Sequence, residues 1–172
     1  LGICDLNPKT VDRWTAEMGQ IAWPWDYDAL PSVRAVEPER LFDCDAFVFA
    51  ATRSVPPVGG ETGDVRMAQL DANRAIVEQY ARKARDAGFR GLFIVLSDPV
   101  DPLCRAAYLA SNRGEDGRWD GQGLPAERIQ GFGLGVMNAR AAALARQELR
   151  YRRFLEDGRS FGPHGEGLVI AN

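Results

Sequence analysis

Two short apolar runs limit what this chain can fold into. Asp45 to Ala51 reads DAFVFAA, and Gly91 to Ser97 reads GLFIVLS. Each has the length of one strand and carries almost no polar residue inside it. Continuous runs of this kind are typical of a parallel sheet covered on both faces. Helical stretches separate and follow them. A long helix is predicted from about Asp64 to Ala87, with Val65, Leu70, Ile76, Val77 and Tyr80 as its apolar residues and Gly88 as its stop. A second helix carries on from Asp98-Pro99-Val100-Asp101-Pro102 through Ala110. An alanine-rich third runs from Val136 to about Arg153. Strands and helices in alternation mean βαβ units and a parallel α/β sheet.

The rest of the chain fits around that pattern. Leu1 to Asp5 (LGICD) reads as a short buried strand ending in an acid. Asn7 then caps a helix with Pro8 at its first position, running to about Gly19. Trp23, Pro24, Trp25 and Tyr27 form an aromatic loop suited to packing, Val33 to Val36 a brief strand, and Pro38 to Phe42 a helical turn. Ala51 to Gly63 is a loop rich in Pro and Gly. Ser111 to Pro125 holds four glycines and five charged residues and reads as a solvated surface insertion. Ligands of open parallel sheets sit beyond the carboxyl ends of the strands. Asp5, the loop after Ala51, and Ser97-Asp98 all fall there.

Composition narrows the function classes. A length of 172 residues, 45% apolar, suits one soluble globular domain, or one domain with a fragment of another. A net charge of −3 and a pI near 5.3 argue against nucleic acid or an anionic membrane as principal partner. No apolar run approaches the roughly 18 residues of a membrane span, and no basic-then-apolar leader opens the chain. Cys4, Cys44 and Cys104 lack metal-ligand spacing, so the expectation is free thiols in a reducing cytoplasm and no metal.

Four residues stand out chemically. His164 is the only histidine, set in Gly162-Pro163-His164-Gly165-Glu166. Imidazole titrates nearest working pH and is the natural proton shuttle, though an ordinary surface histidine is the alternative. Arg66 opens the long helix behind the Pro/Gly loop, where a guanidinium can polarise a carbonyl. Arg140 sits in a small-residue turn and has the fork that grips a carboxylate. Either arginine taken alone reads more commonly as a solvated helix residue. Asp5, at a strand end, has the chemistry to accept from ribose hydroxyls, or merely to cap the next helix. Gly131-Phe132-Gly133-Leu134-Gly135 lacks the third glycine of a dinucleotide fingerprint and reads as a strand-to-helix turn.

Four motifs in order resemble the lactate/malate dehydrogenase family. DCDAFVFAA with its Pro/Gly loop, GETGDVR and LDANRAI is similar to that family's fourth strand, mobile loop and following helix. VLSDPVDPL resembles its strand with an NPVD signature, IQGFGLGVMNAR its glycine turn and helix, and GPHGEG its GEHGD. The resemblance implies a Rossmann-type parallel sheet without its first strand and glycine loop. Residues 1–135 would form an N-terminally incomplete dinucleotide-binding domain, and 136–172 the truncated start of a second α/β, substrate domain. It also implies NAD as cofactor, a small 2-hydroxy or 2-keto acid as substrate, a homo-oligomer, and a cytoplasmic place of work. By the same resemblance His164 is the base, Arg66 polarises the carbonyl and Arg140 clamps the carboxylate. Val55 falls near the position that selects substrates and disfavours a second carboxylate. Asp5, Ala51, Thr52, Asn73 and Ser97 fall on the cofactor side.

Two positions depart from the family. The aspartate that orients the histidine is replaced by Met137, and the asparagine after the strand by Asp98. An ionised aspartate only accepts hydrogen bonds and repels a carboxylate. Either Asp98 takes over as the partner of His164, or the chain is a non-catalytic relative that binds or assembles. A different NAD-dependent chemistry on the same scaffold is a third reading.

Overall fold

The computed structural model describes residues 1–22, 30–53, 65–163 and 167–171. They form two compact units, Leu1–Asp45 and Ala46–Asn172. The expected aromatic loop at Trp23 to Tyr27 lies outside the described residues.

The first unit is a small parallel βαβ element. Strand β1 (Gly2–Ile3) leads to helix α1 (Pro8–Met18) and strand β2 (Arg34–Ala35), with Gly2 opposite Arg34 and Ile3 opposite Ala35. The helix starts as its sequence predicts. Asn7 is extended, its side chain accepts from the Lys9 amide at 3.1 Å, and Pro8 occupies the first turn, where an amide hydrogen would be orphaned anyway. Gly2 is dictated by close approach of β2, since a Cβ there would stand 2.5 Å from Val36 Cγ2.

The second unit holds the main sheet. Strands β3 (Ala46–Phe49), β4 (Leu92–Val95) and β5 (Ile129–Gly131) pair in parallel in the order β3-β4-β5. Phe49 lies opposite Val95, and Phe93 opposite Ile129. Helices α2 (Val65–Asp86) and α3 (Val100–Ser111) make the crossovers. Odd-numbered strand residues Phe47, Phe49, Phe93 and Val95 turn one way and are buried. Phe47 and Phe93 meet with ring centroids 4.9 Å apart, and Tyr80 of α2 lies 5.8 Å from Phe47. Val77, Ala81 and Ala84 fall three and four apart on α2 and are fully buried, as are Leu103 and Ala107 of α3. The expectation of a sheet covered on both faces is corrected. Val48 and Leu96 turn the other way and are 46% and 47% exposed, because successive strand residues alternate faces and only one face meets α2 and α3.

Two further expectations are adjusted. The stretch from Ser111 to Pro125 is exposed over most of its length, as a surface insertion should be, but it is anchored at its ends, where Ser111, Asn112 and Leu124 are buried. The alanine-rich helix, α4 (Leu134–Ala145), ends eight residues before Arg153. The chain then turns back through helix α5 (Phe154–Asp157), so that Phe154 seats on Ala141 and Ala145. Burial of that aromatic ring outweighs the helix-forming preference of Gln147 to Arg153. Gly158 follows because any side chain there would run into the Phe154 ring. Strands β6 (Arg159–Phe161) and β7 (Val169–Ala171) close the chain as an antiparallel pair. No helix among the described residues is long and apolar enough to cross a membrane.

Candidate functional site

The carboxyl ends of β3 and β4 bring together segments far apart in sequence. β3 runs out into Ala51, Thr52 and Arg53, and β4 into Leu96, Ser97 and Asp98, beyond which the Asp98-Pro99 peptide is cis. Two side chains buried beneath these segments tie them to each other. Ser97 Oγ donates to the Ala51 carbonyl at 2.7 Å. Asn73, on α2 and only 1% exposed, accepts through Oδ1 from the Arg53 amide at 2.9 Å and from Thr52 Oγ1 at 3.2 Å. Its Nδ2 donates to the Asp98 carbonyl at 2.9 Å. An amide hydrogen can only donate and a carbonyl only accept, so this network fixes which way the Asn73 amide points.

Of the residues expected at the site, Ala51, Thr52, Asn73, Ser97 and Asp98 therefore lie together at one end of the sheet. Arg66 stands two helical turns, roughly 10 Å, before Asn73 on α2, with an exposed side chain. Arg140 is exposed on α4, its Nη1 3.9 Å from Met137 Sδ. A thioether there gives the guanidinium only a weak acceptor where a carboxylate would hold it firmly. Beside it, Asn138 Oδ1 meets Ser160 Oγ of β6 at 3.5 Å, which brings α4 to the strand that leads into the histidine motif. His164 and Val55 lie outside the described residues, and with them the proposed His164–Asp98 pairing.

Asp5 belongs to the first unit. Its Oδ1 accepts from the Asn7 amide at 2.8 Å, which holds the carboxylate at the end of β1. An open groove of about 430 Å³ begins there, with Pro8, Val11, Val36 and Pro38 in its walls and Asp5, Asp12 and Glu37 among its lining residues. Apolar walls suit a flat heterocycle, and the carboxylates suit vicinal hydroxyls. Among the described residues no Lys or Arg lines the groove, so a phosphate would meet like charge from Asp5, Asp12 and Glu37. This donor set fits an adenosine whose ribose is unphosphorylated. Asp12 and Glu37 were not singled out from the sequence. The signal available was Glu37, an acid directly after the Val33 to Val36 strand, but only the β1–β2 pairing brings it beside Asp5.

Comparison with known proteins agrees with this architecture. No protein-family profile matches the chain. It is 31% identical over 137 residues to L-lactate dehydrogenase 2 of Staphylococcus aureus, a match covering 79% of this chain and 39% of that enzyme. Among solved structures it is similar to a minor L-lactate dehydrogenase from Enterococcus mundtii, with a TM-score of 0.65 at 23% identity over 99% of this chain and 49% of that one. It is also similar to malate dehydrogenase from Plasmodium falciparum, with a TM-score of 0.61 at 21% identity over 84% of this chain and 42% of that one. The structural likenesses establish the Rossmann-type fold. The chain thus spans about two fifths of the length of the curated relative it matches, and it belongs, as a divergent member covering part of its relatives' length, to the lactate/malate dehydrogenase family.

Proposed function

We propose that this chain carries the cofactor side and part of the substrate side of an NAD-dependent 2-hydroxy-acid oxidoreductase of lactate/malate type. The observation that carries the reading is the identity sustained over 137 residues to an L-lactate dehydrogenase, laid on a sheet whose carboxyl end collects the residues expected to face a ligand. Residues 1–135 are assigned to dinucleotide binding and 136–172 to the substrate side. The Asp5 groove of the first unit is assigned to the adenosine, and Ala51, Thr52, Ser97 and Asp98 of the second unit to the cofactor side. Bound NAD supplies the hydride acceptor.

The chain's own residues do the remaining work. His164 takes the hydroxyl proton as the hydride leaves the adjacent carbon, and returns it in the reverse direction. Arg66 polarises the carbonyl of the keto acid, and Arg140 grips its carboxylate through two parallel hydrogen bonds. Val55 disfavours a substrate with a second carboxylate. With Met137 unable to charge-pair the histidine, Asp98 takes over as its partner. The expected assembly is a homo-oligomer working in the cytoplasm.

Calorimetric titration with NADH, with and without pyruvate, tests this reading. Binding that tightens with the keto acid, and turnover abolished by His164→Ala, support it. The absence of NADH binding at millimolar concentration would overturn it. A second reading rests on Met137 and its contact with Arg140: a non-catalytic relative that keeps the scaffold. That reading requires NADH binding without turnover.

A further inference from the structure

Asn73 is nearly inaccessible, yet every polar atom of its side chain is engaged with a segment that borders the cleft. Burying an amide is unfavourable unless its hydrogen bonds are met, and here they are met only by Thr52, Arg53 and Asp98. Those partners stand 20 to 25 residues away in sequence, at the ends of two neighbouring strands. We propose that Asn73 is a positioning residue for the dinucleotide site: it holds the exits of β3 and β4 at a fixed spacing. This rests on the dehydrogenase reading for the identity of the ligand, but not for the clamp.

The chemistry follows from the two ends of the amide. Oδ1 fixes the Arg53 backbone, so the chain leaves β3 in one direction. Nδ2 draws the Asp98 carbonyl inward, which leaves the Asp98 side chain, exposed on the rim, as the part of that residue a ligand would meet. The helix that supplies this clamp also supplies Arg66, so one rigid element sets the register of the β3 exit, the β4 exit and the arginine. A site prearranged in this way binds with less loss of backbone freedom.

Two substitutions separate the ends of the clamp. Asn73→Asp keeps an acceptor for Arg53 but turns an oxygen toward the Asp98 carbonyl, while Asn73→Ser is too short to hold either. Asn112→Ser, at the opposite end of the sheet, is a control of comparable burial. Hydrogen exchange of the Arg53 amide should rise at least tenfold in Asn73→Ser and stay slow in Asn73→Asp and Asn112→Ser. NADH binding should weaken roughly tenfold or more in both Asn73 variants and remain unchanged in the control. Unaltered Arg53 exchange in a folded Asn73→Ser chain would overturn the proposal, and so would equal loss of NADH affinity in the Asn112 control. If Asn73→Ser does not fold, the Asn73→Asp chain decides, because wild-type affinity there overturns the clamp. If the wild-type chain binds no NADH, faster Arg53 exchange in Asn73→Ser sustains the clamp while the dehydrogenase reading falls.

Discussion

The sheet unit carries a buried asparagine–serine pair at each end, and the two pairs are used differently. At the carboxyl ends of the strands, Asn73 and Ser97 reach partners 20 to 46 residues away. At the amino ends, Asn112 and Ser111 work almost wholly within their own segment. Asn112 donates to the carbonyls of Tyr108 and Leu124 and accepts from the Gly123 amide. Ser111 Oγ accepts from the Leu124 amide, and Gly123 has no room for a Cβ against the Ser111 carbonyl. Arg85 closes that end from α2, with one nitrogen on the Ser111 carbonyl and a two-point grip on Asp120. Equivalent chemistry thus staples a loop to itself at one end and holds separate strands in register at the other. Only the second arrangement can transmit a change to a ligand.

The largest expected effect is at the amino end. Asn112→Ala leaves the Leu124 carbonyl and Gly123 amide without partners in a buried place, and should cost roughly 2–4 kcal/mol in urea unfolding. NADH affinity should not change; a matching loss would break the distinction between the two ends. Ser97→Ala comes next. It removes one hydrogen bond to the Ala51 carbonyl, for about 1 kcal/mol of stability. Here affinity should fall as well, by a few-fold in NADH titration, since the β3 exit is partly released. Stability lost without any change in affinity would show that the carboxyl end is no more functional than the other.

A third expectation concerns acid. The Arg85 guanidinium, hydrogen-bonded to Asp120, and then the Gln122 amide hold that carboxyl below the ordinary carboxylate range. A depressed folded pKa means that the anchoring is present above the unfolded value near 4 and is lost as pH falls through the folded one. Protection of amides 113–123, measured relative to their intrinsic exchange at each pH, should therefore fall on acidification before that of the Arg53 amide does. Asp120→Asn should abolish that difference in pH response.

Much of this architecture was legible in the sequence because its signals are local. Two apolar runs gave the central strands, Asn7-Pro8 gave the start of α1, and Gly88 the end of α2. Four ordered motifs pointed to the family. What the sequence concealed depends on pairing across distance. Nothing in the run from Ser111 to Pro125 announces that both its ends are buried, because Arg85, which closes it, lies 26 residues before Ser111. Asn73 was singled out from the sequence, but not as a link between strands, since those hydrogen bonds exist only once β3 and β4 are adjacent. The early end of α4 was hidden for the same reason: Gln147 to Arg153 favours helix locally, and Phe154 finds its partners by folding back.

The smallest expected effect provides a passive probe of the carboxyl end of the sheet. Cys104, near the start of α3, lies against the end of β5, where a Cβ on Gly131 would come within 3.0 Å of its sulfur. Burial, reinforced by the Asp101 charge, pushes its thiol up to about 11. A raised thiol pKa means that the folded chain retains the proton more tightly, so this contribution to stability is complete below the unfolded value and fades between about pH 9 and pH 11. At pH 8 the exposed Cys44 should alkylate readily while Cys104 stays protonated and slow, which mass mapping of iodoacetamide adducts will show. If the carboxyl end is as rigid as the Asn73 clamp requires, saturating NADH should leave the Cys104 rate nearly unchanged. A large slowing on NADH binding would mean that this end is loose until the ligand closes it, and that prearrangement by Asn73 is not how the site works.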